Sequence, residues 1–168
     1  MKRSTLVRLS LSIVLASSLA CAGLKTVLIK TYQTIETGLE KTDEAERIAC
    51  FGKADITGMS DAQLQTCTVG LADASGKVTK PFISDALHRT ISIKLRDAFA
   101  AQTRLGPVLD NWKSGDAIPK DFTTAQTAAT DVLALVQAVD PSDKTAAIVA
   151  ETKKWITSLD EMAQAFKK

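Results

Sequence analysis

The sequence predicts an all-α fold: an irregular four-helix bundle with one long, partly irregular crossover, preceded by an N-terminal apolar leader or anchor helix. Three observations predict it. Apolar residues recur at spacings of three and four over long stretches. Glycine, proline, serine and aspartate punctuate those stretches where helices should begin and end. No run alternates at period two over a useful length, residues 77–82 being the nearest. The chain has 168 residues, 45% hydrophobic and 24% charged, which suits one globular domain and excludes disordered or fibrous classes. The expected division is a signal or membrane-anchor segment over 1–20 and a single helical domain over 21–168.

The leader comes first. Lys2, Arg3 and Arg8 make a basic head, and residues 9–24 are sixteen positions without a charge. A basic head, a short apolar run and small residues form the layout of a secretory signal. As a helix the run is roughly 24 Å long, short of the roughly 30 Å hydrocarbon core. Within it, Ser18-Leu19-Ala20-Cys21 resembles the lipobox of bacterial lipoproteins, with Ser18 where leucine is usual. The resemblance implies a diacylglyceryl group on the Cys21 thiol, Cys21 as the new N-terminus, and attachment to the envelope. Two other endings stay open: Ala20-Cys21-Ala22 fits ordinary cleavage before Gly23, and an uncleaved anchor could reach Ile29 with Arg8 and Lys25 snorkelling. Each ending puts the body outside the cytoplasm, in the cell envelope, at the outer membrane or in the periplasm of a diderm host.

A first bundle helix is expected over 24–49, on the stripe Val27, Leu28, Tyr32, Ile35, Leu39, Ala45, Ile48 and Ala49. It starts almost where the apolar run ends, with no flexible spacer. The crossover, about 50–81, carries four glycines and only one helical piece, 60–68. Cys50 precedes that piece and Cys67 lies near its end. With Cys21 lipidated or removed they are an even pair, expected to join as a disulfide in an oxidising compartment. The alternative is two buried thiols that never meet. A metal site is not expected, since neither C-x-x-C spacing nor a histidine nearby in sequence accompanies them.

The second helix is expected from Phe82 along Ile83, Leu87, Ile91, Leu95, Ala98 and Phe99 to Gly106-Pro107, with Val108, Leu109 and Trp112 as candidates for one further turn before Ser114-Gly115. The third is capped by Asp121 and packs Phe122, Ala125, Ala129, Val132 and Val136. Asp140-Pro141 closes it and opens the fourth, whose stripe is Ile148, Thr152, Trp155, Leu159, Met162 and Phe166.

Charge and chemistry narrow the function classes. The chain has 21 Lys and Arg against 19 Asp and Glu; without the three cations of the head the balance is 18 to 19. The basic footprint of a nucleic-acid binder is missing. The run 70–78 imitates a phosphate loop but spaces its glycines one residue too far apart and has Val78 where Ser or Thr would hold magnesium. Glu36, Glu40 and Glu44 lie at i, i+4, i+8, with Lys41 and Arg47 in reach, and read as a solvated face. Asp85 and His88 give half of a di-iron motif with no second histidine to complete it. His88 is expected on the flank of its helix. Trp112 and Trp155 read first as packing residues and second as candidate interface anchors.

The functional expectation is therefore an exported, envelope-tethered small helical-bundle protein, acting as a structural, adaptor or partner-binding protein. No catalytic residue, cofactor or metal is expected. The expected partners are the membrane, through the N-terminal anchor, and a protein partner or a second copy. The alternatives are a carrier of an apolar small molecule or lipid acyl chain, which a helical bundle can enclose, and a retained single-pass subunit of a membrane or particle assembly.

Overall fold

The structure, a computed structural model, describes the backbone of residues 4–167 and the side chains of residues 23–167. The side chains of the basic head, of the apolar run up to Ala22, and of Cys21, the expected lipidation site, lie outside the described residues. Among the described residues the elements are four α-helices, one 3-10 turn and one hairpin: α1 Ser4–Phe51, the turn Gln63–Gln65, β1 Gly70–Ala72, β2 Val78–Pro81, α2 Asp85–Asn111, α3 Lys120–Gln137 and α4 Asp143–Ala165.

The helices form an up-down-up-down, all-α bundle. Three polar ties fix the antiparallel course of α1 and α2: Lys25 Nζ donates to the Asp110 carbonyl at 3.0 Å, Tyr32 Oη to the Gln102 carbonyl at 3.0 Å, and Glu46 meets His88. On the neighbouring pair, Lys94 meets Asp131 at 2.6 Å and Arg104 meets Asp121 at 2.9 Å, so α3 runs back along α2. Gly38 lies flat against Trp155, where an added Cβ would approach the Trp155 Cα to 3.0 Å, which brings α1 and α4 close together. Trp155, Phe122, Ile35, Leu39, Ile148 and Met162 are fully buried at the centre. The inner face of α3 is mostly small, with Ala125, Ala128 and Ala129 buried between Phe122 and Val132.

Several expected boundaries move, each for a local reason. The first helix runs unbroken from Ser4 to Phe51, so the expected start at residue 24 is not a boundary. Val27, assigned to the inner stripe, is 49% exposed, and Thr31 joins Leu28 and Ile35 on that stripe in its place. Gly106-Pro107 does not stop α2, which runs on to Asn111. A proline removes one backbone donor, but Leu105 and Leu109 on either side are buried and hold the turn in place. Gly106 packs closely on α1 at this turn, where a Cβ would come within 3.2 Å of Tyr32 Oη. The cap of α2 is Ser84, whose hydroxyl accepts from the Leu87 N–H. Ser142, not Asp140, caps α4 through a reciprocal box with Thr145. Asp121 sits inside the first turn of α3, drawn to Arg104.

The crossover departs most. The helix expected over 60–68 is only the turn Gln63–Gln65, and a small antiparallel hairpin follows, pairing Gly70 with Pro81 and Leu71 with Lys80. Asp73 Oδ1 accepts from the N–H groups of Ser75 at 2.9 Å and Lys77 at 3.1 Å, and Gly76 takes φ +83°, which closes the tight turn. An ion pair between Lys80 and Asp140 fastens the hairpin to the α3–α4 turn.

Candidate functional site

Among the described residues the two buried ionisable side chains, Glu46 and His88, meet where the crossover reaches the last turns of α1 and the first turns of α2. Cys50, in the last turn of α1, is joined to Cys67 in a disulfide. The Cys50 carbonyl also accepts from the N–H groups of Thr68 at 2.7 Å and Val69 at 3.2 Å. Asp85, expected as half of a metal motif, accepts from the Cys67 N–H at 2.9 Å and so holds the crossover to the start of α2.

One turn further along α2, His88 is buried, contrary to the expected flank position. The reason is its partner. Glu46, only 1% exposed on the inner face of α1, bonds His88 Nδ1. The other ring nitrogen, Nε2, bonds the Leu64 carbonyl of the crossover at 2.8 Å. Phe51 meets the ring edge-on at 5.1 Å between centroids, and Ser92 Oγ lies 3.4 Å from Nδ1. One side chain thus ties α1, α2 and the crossover together.

Electrostatics follow from that geometry. Burial raises the Glu46 pKa, more than the His88 hydrogen bond and charge lower it. Burial alone would lower His88, but the Glu46 hydrogen bond and charge, then the Leu64 carbonyl, hold it above its ordinary value of 6.5. Asp43, beside Arg47, is also raised by burial, against the pull of Arg47 and His88. The folded pair therefore binds its protons more tightly than the unfolded chain does.

The sign for stability follows. A histidine raised on folding stabilises fully below its unfolded value and loses that contribution as pH climbs through its folded value. The chain is expected to lose stability as pH rises above 6.5. A Glu46→Gln/His88→Gln variant, with neither group titrating, should lack that loss; urea unfolding across neutral and mildly alkaline pH measures it. Equal slopes for the two chains would show that the pair does not couple to folding. Asp43 and Arg47 from α1, and Asp85 and Arg89 from α2, are the other charges near the pair and are unchanged in the comparison.

Over the dyad opens a surface cleft of about 490 Å³, with Arg47 and Arg89 at its rim and Ile56, Gln65 and Ile93 on its walls. Ile93 is 48% exposed there. Cys50, Cys67 and His88 also present ligand atoms within 4.8 Å of one another, so a histidine is near the cysteines in space, as sequence distance did not foretell. A metal would need thiolates, and the disulfide occupies both sulfurs.

The remaining expected residues are dispersed. Trp155 is 0% exposed, which corrects its reading as a candidate interface anchor. Trp112 ends α2, half-buried, with its ring 5.0 Å from Phe166 and its N–H donating to the Ala117 carbonyl at 3.3 Å. Glu36 and Glu40 are exposed, and Glu44 pairs with Lys41, as a solvated face requires. The sequence reading passed over Glu46, although it stands on the inner heptad seam after Leu28, Ile35, Leu39 and Thr42. A comparison with protein-family models, curated proteins and solved structures finds no match to this chain.

Proposed function

We propose that the chain is an exported, envelope-tethered helical-bundle protein that works through its surfaces, as a structural, adaptor or partner-binding protein. The observation that carries this reading is the Cys50–Cys67 disulfide, because such bonds persist in oxidising compartments outside the cytoplasm. The tether rests on the sequence: the basic head, the apolar run and the small residues before Cys21. The non-catalytic part is supported by His88, the one histidine of the chain, whose two ring nitrogens are both engaged by its own protein, with no lone pair left for a substrate.

The test is the intact mass of the protein recovered from the membranes of its host. The expected mass begins at a Cys21 acylated on thiol and amine, since two or three chains give a durable anchor where one does not. A mass starting at unmodified Gly23 would replace the tether by soluble export. Turnover in a broad hydrolase and transferase screen that His88→Ala abolished would overturn the non-catalytic reading. The cleft over the dyad favours one second reading, a small-molecule carrier, with the ligand at the surface rather than inside the bundle. Co-purifying ligand in native mass spectrometry would support it.

A further inference from the structure

We infer that the end of the bundle at which α1 enters is a lipid-contacting surface, and that the bundle rests on anionic phospholipid headgroups with this end down. The inference deepens the tether proposed above and depends on it. It starts from where exposed apolar side chains are. Among the described residues six large hydrophobics are exposed, and four of them, Val27, Ile29, Val108 and Ile118, lie at this end. The level is fixed by Lys25, which meets Asp110 near the end of α2. Val27 and Ile29 follow Lys25 on α1, Val108 precedes Asp110 on α2, and Ile118 is in the 112–119 connection that leaves α2. Soluble surfaces carry isolated apolar residues without consequence, but four of the six gathered at one end, on different sides of the bundle, form a belt there and mark that end as an interaction site.

The rest of this end has the composition of a membrane interface. Trp112 stands half-buried at the rim, an amphipathic ring of the kind enriched at headgroup level. Lys25, Lys113 and Lys167 are exposed around it. Two acids stand among them, Asp110 at 3.9 Å from Lys25 Nζ and Asp116, which accepts from the Lys113 backbone N–H at 2.8 Å. The three lysines against these two acids leave a small excess of cations at this end, and lysines can snorkel and attract anionic lipid.

Chain geometry supplies the independent reason for choosing a bilayer over a second copy. α1 is continuous through Cys21. An acyl anchor on Cys21 would stand four residues before Lys25, about 6 Å of helix, comparable to the roughly 5–7 Å depth of one headgroup layer. A retained anchor helix would leave no greater gap. Either way no linker lets this end stand clear of the surface. The dyad and disulfide, some 21 residues further along α1, are then held roughly 30 Å from the membrane, facing outward.

The two tryptophans make the test direct. The full-length protein, purified from membranes, is reconstituted into vesicles of phosphatidylethanolamine and phosphatidylglycerol carrying bromine at upper acyl positions, which quenches nearby tryptophan. The expected result is loss of Trp112 emission and no loss from Trp155, which is fully buried beside Gly38, about 20 Å further from the membrane. Trp112→Phe should abolish the quenching. Val108→Ser/Ile118→Ser, on exposed positions, should reduce it without changing the melting temperature. Protein that floats with the vesicles but keeps full Trp112 emission would overturn the inference and leave the tether standing. A dimer mass with unquenched Trp112 would assign the surface to a second copy and overturn it as well. Protein that does not float would overturn both.

Discussion

Glu46→Ala is expected to destabilise the chain by about 3–5 kcal/mol, the cost typical of removing one partner from a buried ion pair. Without the carboxylate, His88 stays buried between α1 and α2 with its Nε2 on the Leu64 carbonyl and nothing but Ser92, at 3.4 Å, near its Nδ1. It must either remain a charged ring without its counter-charge or lose its proton and leave Nδ1 with only the long contact to Ser92. Both are costly. Glu46→Gln is the discriminating companion. Its amide N–H can donate to the Nδ1 of a neutral ring, so the geometry survives, and the expected loss is only about 1 kcal/mol. Urea unfolding of the three chains measures the series. An alanine variant within about 0.5 kcal/mol of the parent would behave as an exposed surface substitution does, and would place the dyad outside the folded core.

The same pair shows what was legible in the sequence and what was not. The bundle itself was legible because Leu28, Ile35, Leu39, Ile91, Leu95, Val132 and Leu159 repeat at helical spacing, and burial follows that repeat. Glu46 and His88 were not legible, because a search for apolar residues stops at polar ones. Both nevertheless stand on the seams, Glu46 after Leu39 and Thr42, and His88 before Ile91. A carboxylate and an imidazole on the inner faces of two neighbouring antiparallel helices are a signal, but only once their levels are known. That knowledge needs the register set by Lys25 with Asp110 and Tyr32 with Gln102, a tertiary fact. The hairpin was missed for a related reason. β1 and β2 have three and four residues, too short for a period-two pattern to stand out, and they are joined by the Asp73 turn. Pro107 erred the other way: the local rule for ending a helix was outweighed by the burial of Leu105 and Leu109.

Opening the Cys50–Cys67 bond is the second large effect expected, a loss of about 3 kcal/mol in the chain-entropy account for a loop of this size. For a chain of this length that corresponds to a melting temperature lower by roughly 6–12 °C. The physical argument rests on what else holds the crossover. Between Phe51 and Asp85 the chain has one 3-10 turn and a short hairpin, and its polar ties to the helices run through Leu64 to His88, Cys67 to Asp85, residues 68–69 to Cys50, and Lys80 to Asp140. With the disulfide gone, the Leu64–His88 tie must work against a freer loop, and with the dyad gone the disulfide and the bonds from residues 68–69 to the Cys50 carbonyl are left to fix the loop to α1. The losses from Cys50→Ala/Cys67→Ala and from Glu46→Ala are therefore expected not to add, as happens for groups that share one structural element. Alanine is the right replacement, because both positions are buried and a serine hydroxyl would need a new partner there. Calorimetry with and without a dithiol reductant, followed by peptide mapping to confirm two free thiols, measures the first effect, and the combined variant measures the coupling. An unchanged melting temperature after complete reduction would mean that the helices and the dyad fix the crossover by themselves, and that the bond adds nothing to the stability of this end of the bundle.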